Sequence, residues 1–406
     1  MLARLMSSQD MFPELETQAE AISFTPSRQA GLARLDQFSA RTGQHYARQR
    51  NFDFGTEKRG NVSALSPWIR HRMITEKEVL HATLARHSMS GSEKFVQEVF
   101  WRTYFKGWME QHPSVWTAYQ DGLRQILNKD IQQAEYADAI SGRTGIDCFD
   151  HWARELVETG YLHNHARMWF ASIWIFTLRL PWELGADFFL RHLIDGDPAS
   201  NTLSWRWVGG LHTKGKTYLA RASNIAKYTD GRFNPHGQLS ASAEPLSEPM
   251  LHPRVPIPIV EPVPDEDILL LVTEEDCQIE TLLHHAPAGR LGLVATQRRS
   301  PLAVGDVAQA FATGAVEEAS GAAPSETDWT DQVIAAAEAV GAKTVVTGYA
   351  PVGPAATQLA TLGNSGITVH QIRRDYDSLA WPHCTRGFFG LKKAIPQICR
   401  QLGFAV

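Results

Sequence analysis

The chain has 406 residues, 43% of them hydrophobic, and a formal net charge of −5 at pH 7. That length suits one large domain or two, and the charge of the whole chain gives no reason to expect a nucleic-acid partner. The four cysteines, at positions 148, 277, 384 and 399, contain no Cys-x-x-Cys pair, which argues against a disulfide framework or a zinc site.

The first predicted part of the chain is helical. After an N-terminal extension, residues 1–26, which lacks the apolar run of a signal peptide, the helical pattern extends over residues 27–234. Leu32 and Leu35 recur at helical spacing, and glycines and prolines punctuate the pattern. The most apolar stretch, Met168–Leu178, is too short to span a bilayer and is interpreted as a buried helix. We therefore expect a reduced, cytoplasmic protein without membrane association.

A change of composition separates this part from the rest. Eight prolines fall within residues 235–264. Proline at this density predicts an extended linker, placed at residues 235–265, between two domains.

Beyond the linker, residues 266–406 alternate between strand and helix patterns. Short apolar strands are predicted at residues 268–273, 291–296, 344–347 and 367–371, and a helix at residues 331–340. This alternation predicts a smaller, doubly wound, Rossmann-like α/β domain with a parallel sheet. No GxGxxG or Walker-type loop is present, so a phosphate-gripping dinucleotide site is not indicated.

Charge also differs between the two parts. Residues 1–250 hold 28 Lys and Arg against 27 Asp and Glu, whereas residues 251–406 hold 11 against 17. The near-neutral first part can carry a basic face, but the acidic second part is not expected to contact phosphates.

The most informative motifs lie in the helical part. Residues 142–169 read GRTGIDCFDHWARELVETGYLHNHARMW, and residues 193–207 read LIDGDPASNTLSWRW. Upstream, residues 61–67 read NVSALSP, residues 98–102 read EVFWR, and Tyr46 lies in YARQRNF. The identity and order of these elements resemble the flavin-binding core of DNA photolyases and cryptochromes.

The resemblance implies an FAD cofactor in an all-helical, photolyase-type domain. The residues it assigns to FAD are Tyr46, Ser63, Leu65, Ser66, Arg102, Asn164, Arg167, Asp195, Asp197 and Asn201. In this interpretation Asp195 and Asp197 offer carboxylates to the flavin N–H edge and the ribose, and Asn201 reaches a flavin nitrogen. An Arg167–Asp195 pair beside the ring would stabilise an electron-rich flavin.

Each of these residues also has a plainer interpretation. Taken alone, Arg167 and Asp195 are a structural ion pair, and Asp197 and Asn201 are ordinary turn residues. Ser63 and Ser66, assigned to the diphosphate at a helix N-terminus, are alone more often helix caps. It is the order of the motifs that favours the flavin site.

A second group of positions matches the catalytic part of the family. The resemblance places Glu98, Trp101, Asn164, Met168 and Trp207 around a cyclobutane pyrimidine dimer that is flipped out of UV-damaged DNA, single- or double-stranded. The (6-4) photolyases carry histidine where Asn164 stands, so that chemistry is disfavoured. His165 stands where arginine often contacts the DNA backbone, and a charged histidine would partly replace it.

Tryptophan electron transfer is implied as well. Trp205 and Trp182 match the first two members of the family's tryptophan relay. The third is expected shortly before Gly142, where residues 128–141 contain no tryptophan and Tyr136 as the single aromatic residue. Trp169 and Trp174 are further candidates, although core packing would explain them equally well.

Two functions remain open at this point. Repair of cyclobutane pyrimidine dimers by light-driven electron transfer from reduced FAD, a lyase activity, is favoured. The alternative is a cryptochrome-type blue-light photoreceptor that signals to a protein partner without repairing DNA.

The chain also departs from the family's usual plan. A typical member begins with an α/β antenna domain, whereas here residues 341–381 resemble the later part of that domain, so the domain order looks reversed. The resemblance leaves open whether this antenna-like domain binds a second chromophore. No metal and no iron–sulfur cluster are predicted, because Cys148 is the single cysteine of the helical part.

Overall fold

The computed structural model describes residues 21–129, 133–260, 262–324, 328–363 and 366–406. Helices fill the chain up to Tyr228, and strands begin at Ile268. The predicted fold class, a helical part followed by a smaller α/β part, is confirmed. The predicted N-terminal extension lies largely outside the described residues.

The helices of the helical part follow one another with short connections. They are α1 (Arg28–Ser39), α2 (Gln44–Gln49), α3 (Ser66–Arg70), α4 (Glu76–Leu84), α5 (Glu93–Glu110), α6 (Ser114–Leu127), α7 (Gln133–Ile140), α8 (Asp147–Thr159), α9 (Asn164–Ser172), α10 (Trp182–His192), α11 (Pro198–Val208) and α12 (Ala222–Tyr228). Side-chain caps fix several of their starts, such as the Ser27 hydroxyl that accepts from the Ala30 N–H and the capping box of Thr75 and Glu78. The predicted buried helix within residues 168–178 is α9 with the π-helical turn Ile173–Thr177 that continues it.

The α/β part contains a four-stranded parallel sheet in the order β2-β1-β3-β4. Its elements are β1 (Ile268–Thr273), β2 (Gly289–Leu293), α13 (Asp306–Ser320), α14 (Trp329–Ala339), β3 (Thr344–Gly348), α15 (Pro354–Leu362), β4 (Thr368–Ile372), α16 (Asp375–Ala380) and α17 (Phe389–Gln401). Alternate residues of β1 bury opposite faces of the sheet. Leu270 packs in the cluster that contains α13, and Leu271 in the cluster that contains α14 and α15. Helices therefore cover both faces, as the strand pattern predicts.

Strand β2 differs from its prediction. We predicted residues 291–296, but the strand spans Gly289–Leu293. The chain leaves the sheet at this point because the Glu274 carboxylate, at the end of β1, accepts hydrogen bonds from the Ala295 N–H at 2.8 Å and the Thr296 hydroxyl at 3.1 Å. The apolar run continues past the last ladder residue, so composition alone places the strand too late.

The proline-rich segment is extended but is not a free tether. Its described residues between Tyr228 and Ile268 form no helix or strand. The Val255 N–H donates to the Gln111 carbonyl at 2.9 Å, and the Arg254 guanidinium donates to the Gln111 side chain at 2.7 Å. The segment therefore lies along the helical part. The predicted boundaries at residues 27, 235 and 266 stay predictions.

Helix α5 of the helical part makes direct contacts with the α/β part. The Tyr349 hydroxyl donates to Glu110, and the Thr103 hydroxyl donates to the Tyr376 hydroxyl at 2.9 Å. A Cβ at Gly107 would lie 2.6 Å from the Trp381 indole, so glycine at this position allows the α/β part to approach the helix. None of the described helices is long and apolar enough to cross a membrane.

Candidate functional site

A single cavity gathers almost all of the residues assigned from the sequence. Its volume is about 520 Å³, within the range of cofactor sites. All sixteen assigned residues lie in the described part of the chain, and fifteen of them line the cavity. They are Tyr46, Ser63, Leu65, Ser66, Glu98, Trp101, Arg102, Asn164, Arg167, Met168, Asp195, Asp197, Asn201, Trp205 and Trp207. The sixteenth, Trp182, lies outside the lining.

Asp195 is the electrostatic centre of this cavity. Its Oδ2 lies 3.0 Å from Arg167 Nη2 and 3.6 Å from Arg102 Nη2, and Arg102 also donates to the Asp195 carbonyl. Burial alone would raise the pKa of Asp195, but the two guanidinium groups outweigh it and lower that pKa, so the carboxylate is ionised. Oδ1 of Asp195 is buried and makes no hydrogen bond of standard geometry to the described residues, although the Ser66 hydroxyl lies near enough to the carboxylate to help lower its pKa. The cavity therefore offers a charged acceptor to a ligand.

Asp197, by contrast, is engaged by the protein itself. Its Oδ1 caps α11 by accepting from the Ser200 N–H at 2.6 Å, and its Oδ2 lies 3.8 Å from Lys106 Nζ and 3.9 Å from Arg70 Nε. Burial would raise its pKa, but Lys106 and Arg70 lower it to about 2. The carboxylate that the resemblance assigned to the ribose is thus held as a helix cap between two cations.

The turn at residues 63–66 lines the same cavity. Ala64 has a φ of 50°, and the Leu65 N–H donates to the Ser63 hydroxyl at 3.5 Å. Helix α3 starts at Ser66 and has five residues, so its dipole offers only a weak attraction to a phosphate. These residues are placed beside the cavity by the left-handed turn at Ala64.

Helix α9 carries Asn164 and Met168 on its cavity face. His165 also lines the cavity, but its ring nitrogens lie 2.9 Å from the Asn51 carbonyl and 3.2 Å from the Tyr218 hydroxyl. Burial lowers the pKa of His165, so the ring is neutral near pH 7. Both ring nitrogens thus have protein partners, and the lowered pKa disfavours the charged His165 that was expected to replace a DNA-binding arginine; that contact stays a prediction.

Glu98 has a partner that no sequence motif indicates. Its carboxylate forms an ion pair with Arg50, which also lines the cavity. Burial raises the pKa of Glu98, and Arg50 only partly offsets that effect. The group therefore takes up a proton more readily than an exposed glutamate.

Two tryptophan rings that line the cavity are fixed from outside it. Trp101 is stacked on Phe388, with ring centroids 3.9 Å apart and an interplanar angle of 11°. Trp207 is stacked on Tyr218 at 5.8 Å. Phe388 belongs to the α/β part, so that part contributes to the architecture of the cavity.

The buried Trp205 ring has a close tryptophan neighbour, but it is not Trp182. The Trp205 and Trp174 centroids lie 6.1 Å apart, and Trp174 lies 6.1 Å from Tyr136. A Cβ at Gly185 would lie 2.3 Å from the Trp205 ring and 2.9 Å from the Trp174 ring, so glycine allows the two indoles to meet. Trp182 instead packs on Tyr119 at 5.6 Å. Trp169 stacks on His165 and Trp152.

Comparison with known proteins shows what the helical part is similar to. Residues 95–240 match the family model described as the FAD binding domain of DNA photolyase. This stretch is similar to a photolyase-type FAD-binding domain. The family resemblance seen in the motifs is thereby supported.

Curated relatives are similar to this chain as well. A Synechococcus deoxyribodipyrimidine photo-lyase is 31% identical over 212 residues, which cover 50% of this chain and 43% of the relative. The photo-lyase of Streptomyces griseus is 32% identical over 153 residues, 37% of this chain and 33% of the relative. A solved Synechocystis cryptochrome superposes with a TM-score of 0.46 and 23% identity, covering 57% of this chain and 49% of that protein. The chain therefore spans less than half the length of these two photo-lyases and about half the length of the curated relatives it matches.

Proposed function

We propose that this protein repairs cyclobutane pyrimidine dimers in UV-damaged DNA by light-driven electron transfer from reduced FAD. One observation carries the proposal: a single cavity is lined both by the residues implied for FAD and by those implied for the dimer. The relatives named deoxyribodipyrimidine photo-lyase support it.

The cavity fits a flavin at its charged end. The buried Oδ1 of Asp195 would accept a hydrogen bond from an N–H of the flavin ring, while Arg167 and Arg102 keep the carboxylate ionised. Asn201, whose amide donates to the Ala186 carbonyl at 2.7 Å, would be held for contact with the ring. When bound, reduced FAD would supply the photoexcited electron that opens the cyclobutane ring, while the protein positions and insulates it.

The opposite residues fit a flipped dimer. Trp101 would present one flat face to the thymines while Phe388 supports its other face. When its carboxyl is protonated, the form that its raised pKa favours, Glu98 would donate a hydrogen bond from its O–H to a dimer carbonyl, and the Asn164 amide would bind another polar edge. Trp207 and Met168 would complete the apolar wall.

Repair itself is the first prediction. Reduced protein incubated with dimer-containing single-stranded DNA under blue light should restore intact thymines, and no repair should occur in darkness. Trp101→Ala should lower repair by about tenfold or more, since one base–aromatic stack is lost, while FAD content stays at the wild-type level. Wild-type protein that photoreduces its flavin but restores no thymine would contradict the proposal and favour the photoreceptor.

Electron supply to the flavin gives a second prediction. We propose that Trp205 donates an electron to the photoexcited flavin, that Trp174 refills Trp205, and that Tyr136 refills Trp174. On oxidation, half-buried Tyr136 would lose its phenolic proton to water. A thiol reductant in solution would then return an electron and a proton to the tyrosyl radical. Its hydroxyl accepts from the Arg191 guanidinium at 3.3 Å, which leaves its own proton free to depart.

Photoreduction rates of conservative variants test this route. Trp205→Phe should nearly abolish photoreduction, and Trp174→Phe should slow it more than Trp182→Phe, because Trp174 contacts both Trp205 and Tyr136. Flavin absorbance during illumination with thiol present measures each rate. A larger defect in Trp182→Phe than in Trp174→Phe would instead assign the route through Trp182 and Tyr119.

A further inference from the structure

The C-terminal end of the α/β part departs in charge from the rest of that part. Residues 378–406 contain four Lys and Arg but no Asp or Glu, whereas residues 251–406 as a whole are acidic. Arg386 and Lys393 are exposed, and Lys392 lies 3.2 Å from Glu93 of α5. A basic stretch is therefore concentrated within an acidic region and is anchored on the helical part.

Contacts place this basic stretch beside the cavity. Phe388 stacks on Trp101, which lines the cavity, and the Tyr104 hydroxyl donates to the Arg386 carbonyl at 2.8 Å. The same hydroxyl lies 3.0 Å from Nε2 of His212, in the turn that follows Trp207. Tyr104 thus holds two segments together, one from each part of the molecule.

The turn beyond Trp207 is basic too. Lys214 and Lys216 are both exposed on it. Exposed cations therefore lie on the two segments that adjoin Trp207 and Trp101, the tryptophans proposed to hold the dimer: the turn after Trp207 and the stretch around Phe388. Clustered Lys and Arg on one face are the electrostatic signature of a phosphate backbone as partner.

An exposed aromatic side chain completes this surface. Phe389, the first residue of α17, is 75% exposed, although the preceding Phe388 is buried against Trp101. Because Phe388 fixes the backbone at this position, Phe389 is held in solvent within one residue of the stacked pair. A solvent-exposed ring beside cations is the combination that binds unpaired bases by stacking.

We propose that residues Arg386 to Lys393 form a second DNA-contacting surface, contributed by the α/β part. Arg386 and Lys393 bind backbone phosphates, and Phe389 stacks on the bases that lose their partners when a dimer leaves the duplex. This inference rests on the proposed function, because it needs a dimer that is flipped out of a duplex into the cavity. In single-stranded DNA no pairing partner is left behind, so Phe389 matters less there.

Binding and repair of two substrates test the surface. For Phe389→Ala we expect roughly tenfold weaker binding to duplex DNA that contains a dimer, because one base–aromatic stack is lost. Binding to the same dimer in single-stranded DNA should change little. For Arg386→Ala/Lys393→Ala we expect weaker binding to both substrates. The slope of log K against log salt should become shallower by about 0.9 for each lost phosphate contact.

Matched controls come from the same chain. Leu251→Ala removes another exposed apolar side chain, 89% exposed, and Lys343→Ala removes an exposed cation elsewhere on the α/β part. Both controls should bind and repair like wild type. FAD content and thermal unfolding should be unchanged in every variant, because the replaced side chains are exposed.

The possible outcomes distinguish failure of the proposed surface from failure of the proposed repair function. If wild-type protein repairs dimers and Phe389→Ala binds and repairs duplex DNA equally well, the proposed second DNA-contacting surface is contradicted, whereas the proposed repair function is not. If wild-type protein neither repairs nor prefers dimer-containing DNA, both proposals fall. Phe389-dependent binding to anionic lipid vesicles, with unchanged duplex binding, would also overturn the DNA assignment in favour of a membrane surface.

Discussion

Asp195→Ala is expected to purify as a folded protein that has lost its FAD. Two guanidinium groups, those of Arg167 and Arg102, converge on a carboxylate that is 3% exposed. Removing one partner of a buried ion pair costs about 3–5 kcal/mol, because the remaining charge is left uncompensated. The flavin would lose its acceptor at Oδ1 as well. A loss of about 3 kcal/mol in binding alone corresponds to a Kd roughly a hundredfold higher.

Absorbance of the purified protein and titration of the apoprotein with FAD measure this effect. Asp195→Asn, which keeps an acceptor but loses the charge, should bind FAD with an affinity between wild type and Asp195→Ala. Asp187→Ala is the matched control, since Asp187 is buried and pairs with Arg191 at 2.8 Å but does not line the cavity. It should lower stability and keep FAD. Wild-type FAD content in Asp195→Ala would rule out Asp195 as the flavin's acceptor.

Local periodicity accounts for the part of the site that the sequence predicts well. Residues three and four apart lie on one face of a helix, so Glu98, Trp101 and Arg102 on α5 line the cavity together. On α9, the same spacing places Asn164, Arg167 and Met168 together on the cavity. Strand β1 coincides with its prediction because six consecutive apolar or β-branched residues are bounded by acidic residues on both sides.

Contacts between distant parts of the chain are what the sequence does not predict. No local pattern indicates that Phe388 supports Trp101, or that Arg50 pairs with Glu98. The contact between Trp205 and Trp174 is missed for a related reason: the family order points to Trp182 as the relay partner of Trp205, whereas the absence of a side chain at Gly185 brings Trp174 against Trp205. The relay role of Trp182 stays a prediction. Burial likewise lowers the pKa of His165, an effect that residue type alone does not indicate.

Another contact between residues distant in sequence joins the α/β part to the loop beside the cavity. Arg70 and Glu275 are 205 residues apart in sequence and form two hydrogen bonds, at 2.9 and 2.6 Å. Arg70 also donates to the Gly196 carbonyl at 2.9 Å, next to Asp195 and Asp197. Lys106 Nζ lies 3.8 Å from both Asp197 and Glu275. The α/β part thus holds the loop that carries Asp195 and Asp197, the carboxylates proposed for the flavin site.

Glu275→Ala is accordingly expected to lower the free energy of unfolding by about 3–5 kcal/mol, since it leaves the buried Arg70 without its main counter-ion. Denaturant unfolding followed by far-ultraviolet circular dichroism measures this change. Arg290→Ala is the control, because the Arg290–Glu280 pair of the α/β part has side chains 41% and 42% exposed and should contribute less than about 1 kcal/mol. Replacing both partners, as Arg70→Met/Glu275→Leu, should recover much of the stability, as apolar replacements of buried pairs do.

The same variants distinguish a structural interface from one that supports the cofactor. If Glu275 acts through Arg70 on the Gly196–Asp197 loop, FAD affinity should fall in Glu275→Ala even at temperatures where the protein is fully folded. In Arg70→Met/Glu275→Leu, stability should recover while FAD affinity stays low, because the Gly196 carbonyl and Asp197 still lack the Arg70 guanidinium. If stability and FAD affinity recover equally in the double variant, the α/β part only covers the helical part. If stability recovers while FAD affinity stays low, the α/β part is a component of the flavin site, whatever its position in the chain.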